Sequence, residues 1–197
     1  MSPAKKTAFD SEQQLVFADA AAFDRWLAAN HDSCPGLWLR IAKKGSAKKS
    51  VGYPEALEVA LTWGWIDARK RPLDAHEWLQ RFTPRGARSI WSQINCKKAE
   101  ALIDAKKMKP SGLAEVERAK KDGRWQKAYA SSSKAELPAD FTAALDKNKK
   151  AAAFYATLNA ANRYAIIYRL HSAKKPETRQ KRFDAFLAML ERGEKLH

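Results

Sequence analysis

The spacing of apolar residues changes once along this chain, near residue 89, and the change separates a part with strands from a part without. Residues 14 to 17 (QLVF) read as a short strand. Asp19 then offers a side-chain cap to a helix carrying Phe23, Trp26 and Leu27 at helical spacing. The run GLWLRIAKK is expected as a strand with Leu37, Leu39 and Ile41 on one face and Trp38 on the other. GSAKKS reads as a loop. Pro54 opens a second helix where its missing N–H costs nothing, with Leu57, Ala60 and Leu61 facing inward, and Gly64 ends it. WIDARKR and EWLQRFT follow as two strands joined by PLDA.

Beyond residue 89 the period is helical throughout. Ser89 or Ser92 caps a helix expected to turn Ile94, Ala101, Leu102 and Ala105 inward. Pro110 opens another, with Leu113 and Val116 inward and Gly123 at its end. After the polar ASSSKAE segment, Pro138 starts a helix with Phe141 and Leu145. Helices over 151 to 158 and 163 to 170 follow. The last starts at Pro176, carries Phe183, Phe186, Leu187 and Leu190, and stops at Gly193. In PETRQKR, Arg179 and Arg182 lie at i and i+3 beside that apolar stripe and are expected to support structure. The fold class is α+β: a small, mainly antiparallel sheet with helices in the N-terminal part and an all-helical C-terminal part. The expected domains are 1–130 and 138–197, joined near residues 130 to 137.

Composition bounds the partners. A chain of 197 residues with 45% hydrophobic content buries one good core or two small ones. No apolar run reaches the roughly 18 residues of a membrane span. MSPAKKTAFDSEQQLVF has no apolar segment of secretory type. Cys34 and Cys96 stand outside any CxxC spacing, as suits a reducing compartment. A cytoplasmic protein without membrane insertion is the expectation. The net charge of +15 is spread over both halves and gathers in no single block. Such a surface attracts polyanions, so weak, non-specific nucleic-acid binding that fades at physiological salt is expected.

Most catalytic constellations are missing. KKGSAKKS lacks the spacing of a phosphate-cradling loop, and neither a dinucleotide fingerprint nor a GxSxG elbow occurs. His31, His76, His171 and His197 share no metal-ligand spacing with each other or with the cysteines, so neither a metal nor another cofactor is expected. The notable concentration is WGWIDARK (63 to 70) followed by RFTPRGARSIWSQIN (81 to 95). Guanidinium forks match carboxylates and phosphates, and they stack on aromatic faces. A turn leading into a helix N-terminus adds free N–H groups at a positive dipole end. Trp65, Asp67, Arg81, Arg85, Arg88, Ser89, Trp91, Ser92 and Asn95 are therefore the candidate site for an anionic or planar small ligand. The same residues also admit a structural reading, with tryptophans as core plugs, Arg81 neutralising Asp67 and Ser89 as a helix cap.

The motifs WGWID (63 to 67), QRFTPR (80 to 85), SIWSQIN (89 to 95), MKPSGL (108 to 113), GRW (123 to 125) and KPETRQKR (175 to 182) occur in that order. With them the chain resembles the bacteriocin-protection, YdeI or OmpD-associated family, from about Phe17 to Lys195. Many relatives place a cysteine and an aromatic before the glycine of the first motif. Thr62 and Trp63 stand there in this chain, which removes support for cysteine-centred chemistry at that spot. The resemblance implies a cytoplasmic-type stress or protection protein and carries over no catalytic residue or cofactor. Direct contact with a porin is not expected, since it would require export. Three readings remain open: a non-enzymatic protection protein with a ligand in the 63–95 cluster, a nucleic-acid-associated basic protein, and an enzyme using Asp67 as base with Arg85 or Arg88 stabilising charge.

Overall fold

A computed structural model describes residues 13–131, 134–173 and 175–197. Residues 1–12 of the N-terminal reading, and 132–133 of the expected connection, lie outside the described residues. The chain forms two compact units, Met1–Ala128 and Tyr129–His197.

The first unit runs β1 (Gln14–Leu15), α1 (Ala20–Asn30), β2 (Leu37–Ala42), α2 (Tyr53–Thr62), β3 (Trp65–Pro72), β4 (Glu77–Pro84), α3 (Gln93–Asp104) and α4 (Pro110–Lys121). Its sheet has the order β1-β2-β4-β3. Both larger pairings are antiparallel, with Leu37 opposite Phe82 and Trp65 opposite Pro84, while two-residue β1 joins β2 in parallel. The sheet is thus mixed, and its antiparallel part dominates. Between Asp67 and Lys70 the register of β3 slips. The buried amide of Gln80 donates to the Arg69 carbonyl (3.1 Å) in that irregular stretch.

Local signals place most boundaries. Asp19 accepts from the Ala22 N–H at 2.8 Å and starts α1. Pro54 lies in the first turn of α2, and the Gly52 N–H gives its hydrogen to Glu55 Oε2 (3.1 Å). Gly64 leaves α2 at φ 76°. Phe23, Leu27, Leu39, Leu61 and Phe82 then close one face of the sheet, with Phe23 and Phe82 ring centroids 5.7 Å apart. Trp38, on the opposite face by strand alternation, is buried under the Arg71 guanidinium at 4.4 Å.

Two helix faces differ from expectation. On α3 the residues buried are Asn95, Cys96, Ala99 and Leu102, whereas Ile94, Ala101 and Ala105 face solvent. On α4 they are Gly112, Val116 and Ala119, with Leu113 exposed. Close approach is the physical reason on α4. Gly112 lies so near the Thr62 carbonyl that a β-carbon would fall 2.3 Å from it. The contact therefore selects small residues, not the largest apolar one.

The second unit contains α5 (Ala139–Lys147), α6 (Lys149–Thr157), α7 (Ala160–His171) and α8 (Pro176–Glu191), and it is helical where described. Phe141, Ile166, Leu170, Phe186 and Leu190 form its core. Asn148 and Asn159 cap α6 and α7 through their side chains. Arg179 holds Asp140 of α5 in a bidentate pair at 2.7 and 2.8 Å, which keeps that carboxyl below the usual aspartate range. Arg182 donates to the Arg169 carbonyl in the last turn of α7 (2.7 Å). Both arginines thus tie α8 to its neighbours. Replacing both with glutamine is expected to lower the stability of this unit by about 1 kcal/mol, a small figure because both ends of the carboxylate pair are solvent-accessible. Thermal unfolding followed by circular dichroism checks this, and an unchanged melting curve would assign these arginines to something other than structure.

Candidate functional site

The turn after β4 is built by its own polar groups. The Arg85 N–H donates to the Gly64 carbonyl at 3.0 Å, pinning the end of β4 to the corner between α2 and β3. Gly86 N–H donates to Ser89 Oγ (3.0 Å), and Ser89 N–H returns to the Gly86 carbonyl (2.9 Å). Ser92 then caps α3, accepting from the Asn95 N–H at 3.1 Å. Of the two candidate caps, Ser92 takes the helix and Ser89 the turn.

This geometry folds Arg85 inward. Its side chain is buried, with the guanidinium 3.6 Å from the ring centroid of buried Trp91, and Nη1 donates to the Ile90 carbonyl (3.2 Å). Trp91 packs in turn on Trp125 at 4.8 Å. Two further arginines grip the same turn from the end of α4. Arg118 donates to the Arg85 carbonyl (3.2 Å), and Arg124 to that of Ser89 (2.7 Å). Glu115 pairs with Arg118, and Asp122 with Arg124, so part of this positive charge is balanced. Two buried donors in the cluster, Trp91 Nε1 and Arg124 Nη2, have no hydrogen-bond acceptor among the described residues. A buried donor left unmet costs about 1–3 kcal/mol, so such a pair marks a place where an acceptor would be favoured.

The structure therefore brings together Arg85, Ser89, Trp91, Ser92 and Asn95, with Arg88 exposed on the same turn. It does not add the others. Trp65 is core: its Nε1 donates to the His31 carbonyl (3.0 Å), and its ring meets Trp26 edge-on. Asp67 accepts from Tyr53 Oη at 2.9 Å and sits opposite Phe82, while Arg81 sits opposite Trp38. Neighbours on a strand project to opposite faces, so Arg81 cannot neutralise Asp67 as the structural reading expected. Arg118, Arg124 and Trp125 escaped the sequence argument. GRW was visible as a motif, but nothing local said that it would fold back onto residues 85 to 91.

Cys96 lies beneath the cluster. Burial pushes its thiol up to about 11, with Glu100 adding to the rise and Arg85 opposing it, so it is protonated at neutral pH and unsuited to nucleophilic work. Among the described residues, no group of three or more His, Cys, Asp or Glu is arranged to hold a metal ion, and no helix is long and apolar enough to cross a membrane.

Comparison with known proteins divides the chain in a similar way. Residues 15–115 match the model of a domain of unknown function (DUF8412), and residues 134–193 match that of the bacteriocin-protection, YdeI or OmpD-associated family. The family expected from the motifs is thus matched in the helical unit, through a segment containing KPETRQKR. The motifs from WGWID to MKPSGL fall under the other match. No curated protein and no solved structure matches the chain.

Proposed function

We propose, from the premise that this chain belongs through residues 15–115 to the family of a domain of unknown function (DUF8412) and carries a bacteriocin-protection, YdeI or OmpD-associated domain at residues 134–193, that it is a non-enzymatic protection protein whose N-terminal unit binds a small anion at the Arg/Trp turn. The observation that carries this reading is the pair of acceptor-less buried donors, Trp91 Nε1 and Arg124 Nη2, in a cluster where Arg85, Arg118 and Arg124 meet. A carboxylate or phosphate supplies the acceptors such donors lack. Arg88 and the α3 N-terminus add positive potential at the same turn. Catalysis is disfavoured because Asp67, the one candidate base, is held by Tyr53, and Cys96 is protonated.

Titration with inorganic phosphate and with citrate, read by tryptophan fluorescence and calorimetry, tests the proposal. Saturable binding is expected, weakened roughly tenfold by Arg124→Gln through loss of one charge-assisted hydrogen bond. Trp91→Phe keeps the ring, removes the N–H and should weaken binding as well. Absence of saturable binding by either anion at millimolar concentration would overturn it. Duplex and single-stranded DNA serve as comparison, and their binding is expected to vanish near 150 mM salt. Tight DNA binding that survives this salt and is lost in Arg124→Gln would replace the small anion with nucleic acid.

A further inference from the structure

A cleft of about 500 Å³ opens between α1 and α2 on one side and the α3–α4 connection on the other. Its size lies within the roughly 300–1,000 Å³ of small-molecule sites. None of its lining belongs to the Arg/Trp turn, so it stands or falls independently of the function proposed above.

The two walls carry opposite charge. Asp24 of α1 and Glu55 and Glu58 of α2 line one side; Lys106, Lys107 and Lys109 line the other, over an apolar floor that includes Val59 and Leu102. The acidic wall is fixed in place, since Asp24 Oδ1 accepts from Trp63 Nε1 (2.7 Å) and Glu55 Oε2 from the Gly52 N–H (3.1 Å). Lys109 is anchored through its N–H to the Thr62 carbonyl (3.1 Å), with Nζ 5.4 Å from the Trp63 ring. Among the described residues no ion pair joins the two walls. Each wall thus presents charge of one sign to the cleft, and Trp63 holds a member of each, Asp24 through its Nε1 and Lys109 over its ring.

Backbone conformation points to the same place. Lys106 has φ 57°, the left-handed region, two residues beyond Asp104, the last residue of α3. Its N–H bonds the Ile103 carbonyl (2.8 Å) and that of Lys107 the Leu102 carbonyl (2.9 Å), a helix stop where glycine is the default residue. A lysine kept in this conformation on the wall of a cavity is strain of the kind retained at binding sites.

We infer that this cleft binds a small zwitterion, with its ammonium at the Asp24/Glu55/Glu58 wall, its carboxylate at the lysines and an aliphatic middle on Val59 and Leu102. Such a ligand meets complementary charge on both walls at once. A simple anion or cation meets it on one. The chemistry is that of a short aliphatic peptide or a free amino acid, and the volume favours the peptide.

Calorimetric titration of the full chain with the tripeptide Ala-Leu-Ala, its N-acetyl form, its C-terminal amide and free leucine tests the inference. The tripeptide is expected to bind saturably, and each blocked form at least about tenfold more weakly. Leucine binding with the same dependence on both charges would support the same site with the shorter occupant. Glu58→Gln should weaken the tripeptide but not the N-acetyl form. Lys106→Gly gives the most specific signature: its melting temperature rises as strain is relieved, while tripeptide affinity falls. The inference is overturned if a blocked form binds as tightly as the parent, if Lys106→Gly retains full affinity, or if neither tripeptide nor leucine binds saturably.

Discussion

Gly112→Ala is expected to destabilise the N-terminal unit by about 3 kcal/mol, the upper part of the range for overpacking. The added β-carbon would lie 2.3 Å from the Thr62 carbonyl oxygen and 2.8 Å from Met108 Cε. Met108 is flexible and can move. The carbonyl cannot move alone, because it accepts from the Lys109 N–H (3.1 Å) and because Ser111 Oγ donates to the neighbouring Trp63 carbonyl (3.1 Å). Relief requires the start of α4 to shift away from the end of α2, which opens the packing of buried Val116 and Ala119. Equilibrium denaturation measures the effect. A midpoint equal to wild type would show that the two helices separate without cost and that close approach is not why α4 presents its small residues inward.

The second large effect concerns acid. Glu77 is nearly buried, yet its carboxylate receives Arg40 Nη2 at 2.5 Å and also the ammonium of Lys48. Hydrogen bonds from Arg40 and then Lys48 hold its carboxyl below the usual glutamate range, against the opposing effect of burial. A carboxyl whose folded-state value is depressed contributes stability that is full above its unfolded value. That stability is lost as pH falls through the folded value. Glu77→Gln should therefore cost about 2 kcal/mol at neutral pH, discounted for the solvent exposure of both cations. The difference should shrink as pH drops below the ordinary glutamate value, because the wild type then loses the same charge. Melting curves of both proteins between neutral pH and strong acid decide it. A gap that stays constant down the scale would mean that shape, not charge, is what Glu77 supplies.

Much of the fold was legible because it is local. Asp19, Pro54, Ser92, Pro138 and Gly193 mark helix ends through their own backbone neighbourhoods, and each lies where the sequence placed an end. The alternation in LWLRIA was enough to assign both faces of β2. What failed depended on distant partners. The helical period turns Ile94 and Leu113 inward, but the facing surfaces accept Ala99 and Gly112 instead. The site divides likewise. Arg85, Ser89 and Trp91 share a turn, so their proximity was readable. Arg118 and Arg124 arrive by donating from their guanidinium groups to backbone carbonyls more than thirty residues away, which no spacing rule reports. Trp63 and Trp65, two positions apart, look equivalent in WGWID. Only packing separates them, Trp65 sealed in the core and Trp63 half-buried against Asp24.

The slipped register in β3 has a consequence for how molecules of this protein meet. β3 is an outer strand of the sheet, and an outer strand offers unmet amides and carbonyls to any other chain that can lie alongside. Here the stretch that would serve as a template is interrupted at residues 67 to 70, bears exposed Arg69 and Lys70, and ends in Pro72, which has no amide hydrogen to give. The Arg69 carbonyl is already claimed from inside by Gln80. An approaching strand would meet positive charge, broken spacing and a missing donor in succession. The basic character of this segment thus works as a guard against fibre-like stacking along the β3 edge of a small sheet.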